Sequence, residues 1–203
     1  MVSSELFLII AISGISIMGF SQPDIIYKLQ FNAWQILRKK EYYRLFTHAF
    51  VHGGWMHLIV NMFVLWSFGR GVIYLFSAYF NVNPTLLFLL LFATAIPVSS
   101  LYSLQKEKNN YHYNAVGASG AVTAVVFASI FLEPYSTIYI YFIPVPGIVF
   151  GAVYLVYSKY MSNRGMDNIG HDAHFWGAVY GFFFPLVLDP SLAKLFFYKL
   201  LSF

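Results

Sequence analysis

Apolar and polar positions fall in long blocks along this chain, without the short alternations of a water-soluble fold. Six apolar stretches approach the roughly 20 residues that a helix needs to cross a bilayer. They predict spans over residues 5–21, 55–76, 84–104, 115–132, 138–157 and 173–188. The first stretch, Leu6 to Phe20, is short, but no basic residue precedes it and no small-x-small cleavage site clearly follows. It therefore reads as a transmembrane helix and not as a signal peptide. Pro84 opens the third span after an Asn-Val-Asn turn, and Glu133-Pro134 ends the fourth. Pro144 and Pro146 kink or delay the fifth, and Asp189-Pro190 closes the sixth. Arg70 lies toward the far end of span two, where its stem can snorkel to the interface.

Two connections are long. Residues 22–54 mix Lys28, Arg38, Lys39, Lys40, Glu41 and Arg44 with Trp34, Tyr42, Tyr43 and Phe46. That composition suits a segment lying at the membrane surface, and its aromatic content argues against disorder. Residues 158–172 carry Gly165, Gly170 and two Asn, and read as a mobile loop. Neither an internal repeat nor an attached soluble domain is visible, so residues 1–203 form one domain.

Composition sharpens this picture. Hydrophobic residues make up 59% of the chain and charged residues 10%, against about 25% charged in a soluble domain. With 22 Phe, 16 Tyr and a mean hydropathy of +0.66, the solvent for most of the chain is lipid. The fold class is an all-α integral membrane protein. The net charge of +4 is scattered, which excludes a nucleic-acid surface. The absence of Cys excludes disulfides, thiol nucleophiles and thiolate metal sites. No H-E-x-x-H spacing occurs, so neither a metal nor another cofactor is expected.

Polar residues inside spans are costly and mark function by default. His57 and Asn61 share one face of span two, one helical turn apart. Ser119, in Gly117-Ala118-Ser119-Gly120, opens span four. As a cap beside close-packing glycines it needs no chemistry; as a nucleophile its oxyanion would lie at the positive end of a helix dipole. His174 opens span six with Gly177 and Gly181 below it on its own face. Gly117, Gly120, Ala121 and Ala124 give span four a matching smooth side, so spans four and six are expected to touch. Spans two, four and six run in the same direction, which puts His57, Ser119 and His174 at similar depth on one side. His171 competes with His174 from three residues back, and His48, His52 and His112 read as interfacial or loop histidines. A third carboxylate is not on offer: Asp172 points away from the His174 face, and Asp189 lies about 22 Å down the helix.

Taken together, these motifs resemble the rhomboid intramembrane serine proteases over nearly the whole chain. The match comprises Tyr43-Arg44, His52-x4-His57-x3-Asn61, Gly117-Ala118-Ser119-Gly120 and Ala173-His174-x2-Gly177-x3-Gly181, in order. The resemblance implies a bacterial-type six-span core and a Ser119–His174 dyad, with Ser119 as nucleophile and His174 as general base and then acid. It implies an oxyanion hole from His57, Asn61 and the Ser119 backbone, with Gly117 beside them. His52, Arg44, Gly120, Gly177 and Gly181 would support the site. Members commonly carry Trp-Arg where this chain has Tyr43-Arg44. They often carry an aromatic four residues after the nucleophile, stacked on the histidine; here that position is Thr123, which leaves open what orients the His174 ring.

The implied function is cleavage of transmembrane protein substrates within the bilayer. Substrates would pass between spans two and five, where Pro144 and Pro146 loosen the helix, under a cap formed by residues 158–172. Nine of the twelve Lys and Arg lie in the first, third and fifth loops, so the positive-inside rule places the active-site side in the cytoplasm. The resemblance places that side outward, in a bacterial plasma membrane, with the amino terminus in the cytoplasm. Five of the nine charges belong to the long first loop, which can fold as part of the protein. Two other classes remain: a silent relative that binds and escorts membrane proteins, and a small transporter using His57, Asn61 and His174 as a polar path.

Overall fold

The computed structural model describes residues 3–140, 142–164 and 170–202. Its elements are α1 (Ser4–Ser21), α2 (Pro23–Leu29), α3 (Ala33–Arg38), α4 (Arg44–Thr47), a 3₁₀ turn (His48–Phe50), α5 (Trp55–Tyr79), α6 (Pro84–Lys106) and α7 (Ser119–Leu132). They continue with β1 (Thr137–Ile140), β2 (Ile143–Pro146), α8 (Gly147–Arg164), α9 (His171–Leu188) and α10 (Leu192–Leu201).

The first three predicted spans match α1, α5 and α6 closely. Local chemistry explains one boundary well: the Asn83 side chain accepts from the Thr85 and Leu86 N–H groups at 3.0 and 3.2 Å, and Pro84 needs no partner there. By length and apolarity, α1, α5 and α6 can each cross a membrane. The α9–α10 pair also qualifies if taken as one element bent by 119°. Helix α7 has 14 residues, about 21 Å at 1.5 Å per residue, shorter than the roughly 30 Å hydrocarbon core.

Helix α7 is the axis of the molecule. Thirteen of its 14 residues, Gly120 through Leu132, are buried, and α5, α6, α8 and α9 surround it. Two glycines bring α9 closest. A side chain at Gly177 would strike the Gly120 carbonyl, and one at Gly181 would strike the Ala124 carbonyl. The expected contact between spans four and six is therefore backbone against backbone. Ser129, a polar residue in the far half of α7, returns its hydroxyl to the Val126 carbonyl at 2.6 Å.

Three expectations are corrected, and one further helix is added. The fifth span is not 138–157. Residues Thr137–Ile140 and Ile143–Pro146 pair as an antiparallel hairpin, with Tyr139 opposite Pro144, and the helix starts only at Gly147. The β-branched and aromatic residues there favour strand, and proline fits a strand edge far better than a helix interior. Pro144 and Pro146 thus lie in the hairpin at the far end of α7 and loosen no helix beside the site. The fourth helix begins at Ser119 and not at 115, because Ala115 pairs in extended form with Phe31 through two backbone hydrogen bonds. The supposed loop at 158–172 is mostly helix: α8 runs to Arg164 and α9 starts at His171, while 165–169 lie outside the described residues. Finally, α10 follows the sixth span. It packs Phe196 flat against Phe131 of α7, 5.1 Å between ring centroids.

Candidate active site

The long first loop is bolted to the segment that presents Ser119. Arg44 is buried and donates to the Tyr27 and Gln30 carbonyls, both at 2.9 Å, and to Glu41 at 2.5 Å. Tyr43 supplies its ring face to the same guanidinium at 5.4 Å. Asn32 donates to the carbonyls of Tyr111 and Tyr113. These bonds satisfy backbone groups that water would otherwise have to reach, and make the loop and the segment leading to Ser119 one body.

Two buried histidines continue this framework. The His48 Nδ1–H donates to the Arg44 carbonyl at 3.0 Å, leaving Nε2 facing the Ser100 hydroxyl at 3.2 Å. Burial pushes His48 down to about 4. For His52 the bonding pattern assigns the tautomer. The Ser16 hydroxyl donates to the Phe50 carbonyl at 2.9 Å, so the His52 Nδ1–H must donate to Ser16, also at 2.9 Å. Its Nε2 then accepts the Ala118 N–H at 3.4 Å, one residue before Ser119. Burial, with the His57 ring beside it, pushes His52 down to about 3, so it stays neutral as this geometry requires.

Ser119 is the first residue of α7, and the helix's first internal bond is Val122 N–H to Ala118 C=O. The N–H groups of Ser119, Gly120 and Ala121 therefore precede that ladder, where the helix dipole is positive. Gly117 adopts φ +113°, and a Cβ there would lie 2.6 to 2.7 Å from the His57 ring. Its own N–H donates to the His48 carbonyl at 2.9 Å. Gly117 thus supplies space for the His57 ring, and its N–H is already engaged by the His48 carbonyl. Asn61 anchors one amide N–H on the His57 carbonyl at 2.8 Å, one turn back on α5.

A cavity of about 1460 Å³ opens over these groups, and His57, Asn61, Gly117, Ser119, Gly120 and His174 all line it. Ser99, Ser100, Ser103 and His48 form a polar wall; Val60, Val64, Val126 and Phe150 form an apolar one. Gly177 and Gly181 lie beneath, in the α7–α9 seam, and Arg44 and His52 behind. Asp172 is engaged by residues of two other helices. It bonds Lys106 at 2.7 Å and the Ser162 hydroxyl, tying the ends of α6, α8 and α9 together.

The sequence reading passed over two contacts. Tyr154 of α8 lies face to face with His174, 6.4 Å between centroids at 29°, and His171 meets the same ring edge-on at 6.0 Å. The signal available was the Tyr154/Tyr157 pair, three residues apart on one helix face; Tyr157 packs on His171 at 5.7 Å.

Comparison with known proteins bears on the family of the chain. The chain is 30% identical over 149 residues, 66% of its length, to "RHOMBOID-like protein 12, mitochondrial" of Arabidopsis thaliana, and spans 43% of that relative. The Rhomboid domain family matches residues 39–190, from the end of the first surface helices to the close of α9. A match over that much of the chain, on a helical membrane fold with this cavity, makes the protein a member of the rhomboid family.

Proposed function

We propose that this protein is an intramembrane serine endopeptidase with a six-span core, in which α7 and α8 complete the spanning set despite their limited length or apolarity. The observation that carries the reading is the convergence of Ser119, His174, His57 and Asn61 on one cavity, drawn from three separate helices. Ser119 Oγ attacks the scissile carbonyl of a substrate segment while His174 takes its proton. His174 then protonates the departing amine, and water, activated by the same ring, hydrolyses the acyl-enzyme. The side chains of His57 and Asn61 and the Ser119 N–H face the developing oxyanion, where each donor is worth about 10²- to 10³-fold in rate.

The substrate is the transmembrane segment of another membrane protein, with a small residue before the cut and helix-destabilising residues nearby. It reaches the site laterally, since Met56, Val60 and Val64 of α5 and Phe150 and Tyr154 of α8 border the cavity. Water arrives along the Ser99–Ser100–Ser103 wall. The active-site side faces outward. Several of the cations that argue otherwise are committed within the fold: Arg44 to loop carbonyls, Lys39 to Trp34, Lys106 to Asp172 and Lys159 to Tyr102 and Phe175. In place of the bacterial plasma membrane, the mitochondrial name of the relative makes an organellar membrane the first location to test.

The deciding experiment incubates the purified protein in detergent with a single-span test substrate, beside its Ser119→Ala variant. Cleavage that survives Ser119→Ala overturns the proposal. Covalent capture of Ser119 by a fluorophosphonate separates a protease from a silent escort, which leaves the probe unreacted.

A further inference from the structure

The position four residues after Ser119 is Thr123, which cannot stack on an imidazole. The structure fills that role from another helix. Tyr154 of α8 lays its ring on His174 at 6.4 Å and 29°, within the 4.5–7 Å range of productive aromatic pairs. Its hydroxyl meets Thr123 Oγ1 at 3.2 Å. Phe127, one turn below Thr123 on α7, and Phe150, one turn back on α8, flank the same ring at 5.7 and 5.6 Å. Tyr154 is therefore held at its tip by Thr123 of α7 and along its ring by an aromatic from each helix, and it meets the His174 ring nearly parallel.

We infer that Tyr154 is the positioning residue for the His174 ring, and that Thr123 acts on His174 only through the Tyr154 hydroxyl. A base must hold its ring nitrogen within about 3 Å of the hydroxyl it deprotonates, so a ring free to rotate spends less time competent. The flat contact limits that rotation. A consequence follows from where Tyr154 resides. Helices α7 and α9 are locked backbone to backbone at Gly120/Gly177 and Ala124/Gly181, whereas α8 meets α7 through the side chains of Phe127 and Ile130 at Gly151. The helix that borders the lateral opening is thus the one that orients the base. A substrate that displaces α8 also changes how His174 is held.

This inference rests on the reading of Ser119 and His174 as nucleophile and base, and the test separates the two. The full chain in detergent is labelled with a fluorophosphonate, and the second-order rate at Ser119 is compared across Tyr154→Phe, Tyr154→Ala, Thr123→Val and the Tyr154→Phe/Thr123→Val double variant. Tyr154→Phe keeps the stacking face and should label about threefold slower, while Tyr154→Ala should label about tenfold slower or more. Thr123→Val should match Tyr154→Phe, and the double variant should be no slower than either, because both remove the same bond. In substrate cleavage Tyr154→Phe should lower kcat with KM unchanged. Should Tyr154→Ala not fold, the Phe, Val and double variants still decide. Equal labelling of Tyr154→Ala and wild type, or a full additional Thr123→Val effect in the Tyr154→Phe background, overturns the inference alone. A wild-type Ser119 that the probe never modifies overturns the protease reading, and the inference with it.

Discussion

Gly177 of α9 rests against the main-chain carbonyl of Gly120, the residue after Ser119, with no side chain between them. The depth of His174 relative to Ser119 is set by this contact, because His174 lies one turn before Gly177 on the same helix. Gly181 repeats the contact against Ala124. Adding a methyl at either glycine forces the helices apart. Gly177→Ala and Gly181→Ala should each cost on the order of 1–3 kcal/mol, as overpacking does, and separate His174 from Ser119. Thermal unfolding in detergent should show a lower midpoint. Labelling of Ser119 should fall further than the lost stability explains.

Gly117 presents a different constraint. Its φ of +113° disfavours any other residue, and its missing Cβ is the space that the His57 ring occupies. Gly117→Ala should destabilise by about 1–3 kcal/mol from backbone strain and also push His57 out of line. Cleavage should drop about 10²-fold, as for loss of one oxyanion donor. His57→Ala should drop similarly, and the Gly117→Ala/His57→Ala pair should be far less than multiplicative. A fully multiplicative pair would mean that Gly117 acts independently of His57.

Acid should unfold this protein through its buried histidines. His48 titrates near 4 and His52 near 3 in the folded chain, against about 6.5 when unfolded. Depressed values mean that the unfolded chain binds protons first. The stabilisation is complete above about pH 6.5 and is lost progressively as pH falls toward 4 and then 3, on the order of 3 kcal/mol for His48 and 5 kcal/mol for His52. Unfolding midpoints should decline between pH 7 and pH 4.5. His52→Gln, which keeps a side-chain donor and acceptor but cannot take up a proton in this range, should flatten part of that decline.

At the opposite end of α7, Lys199 of α10 donates to the Leu132 carbonyl at 2.8 Å, to Tyr79 at 2.6 Å and to Glu133 at 2.5 Å. Glu133 and Lys199 are partly exposed, so the ion pair itself adds little. Lys199→Met removes the donor that satisfies the end of α7. It should loosen α10 at a cost of about 1 kcal/mol. Limited proteolysis should cut after Leu188 in the variant under conditions where wild type resists, while the labelling rate of Ser119 stays unchanged.

Much of this protein was legible from its order of residues alone. Block hydropathy located α1, α5 and α6, because lipid solvation demands long apolar helices and little else matches that pattern. Helical periodicity put His57 with Asn61 and His174 above Gly177 and Gly181, since spacing on a helix fixes which residues share a face. What periodicity cannot encode is contact between elements. The hairpin at 137–146 came from strand pairing that defeats an apolar count, and α10 from a bend after Asp189. The unavailability of the Gly117 N–H depended on the carbonyl of His48, 69 positions earlier. The neighbour of His174 depended on α8 lying where Tyr154, in its third turn, meets that ring. The sequence by itself determined the solvent, three of the long helices and which polar side chains share a helix face, each of which depends on near neighbours in the chain. Only the tertiary structure decided which donors are already spent and which ring faces His174, because both are set by residues that meet through packing.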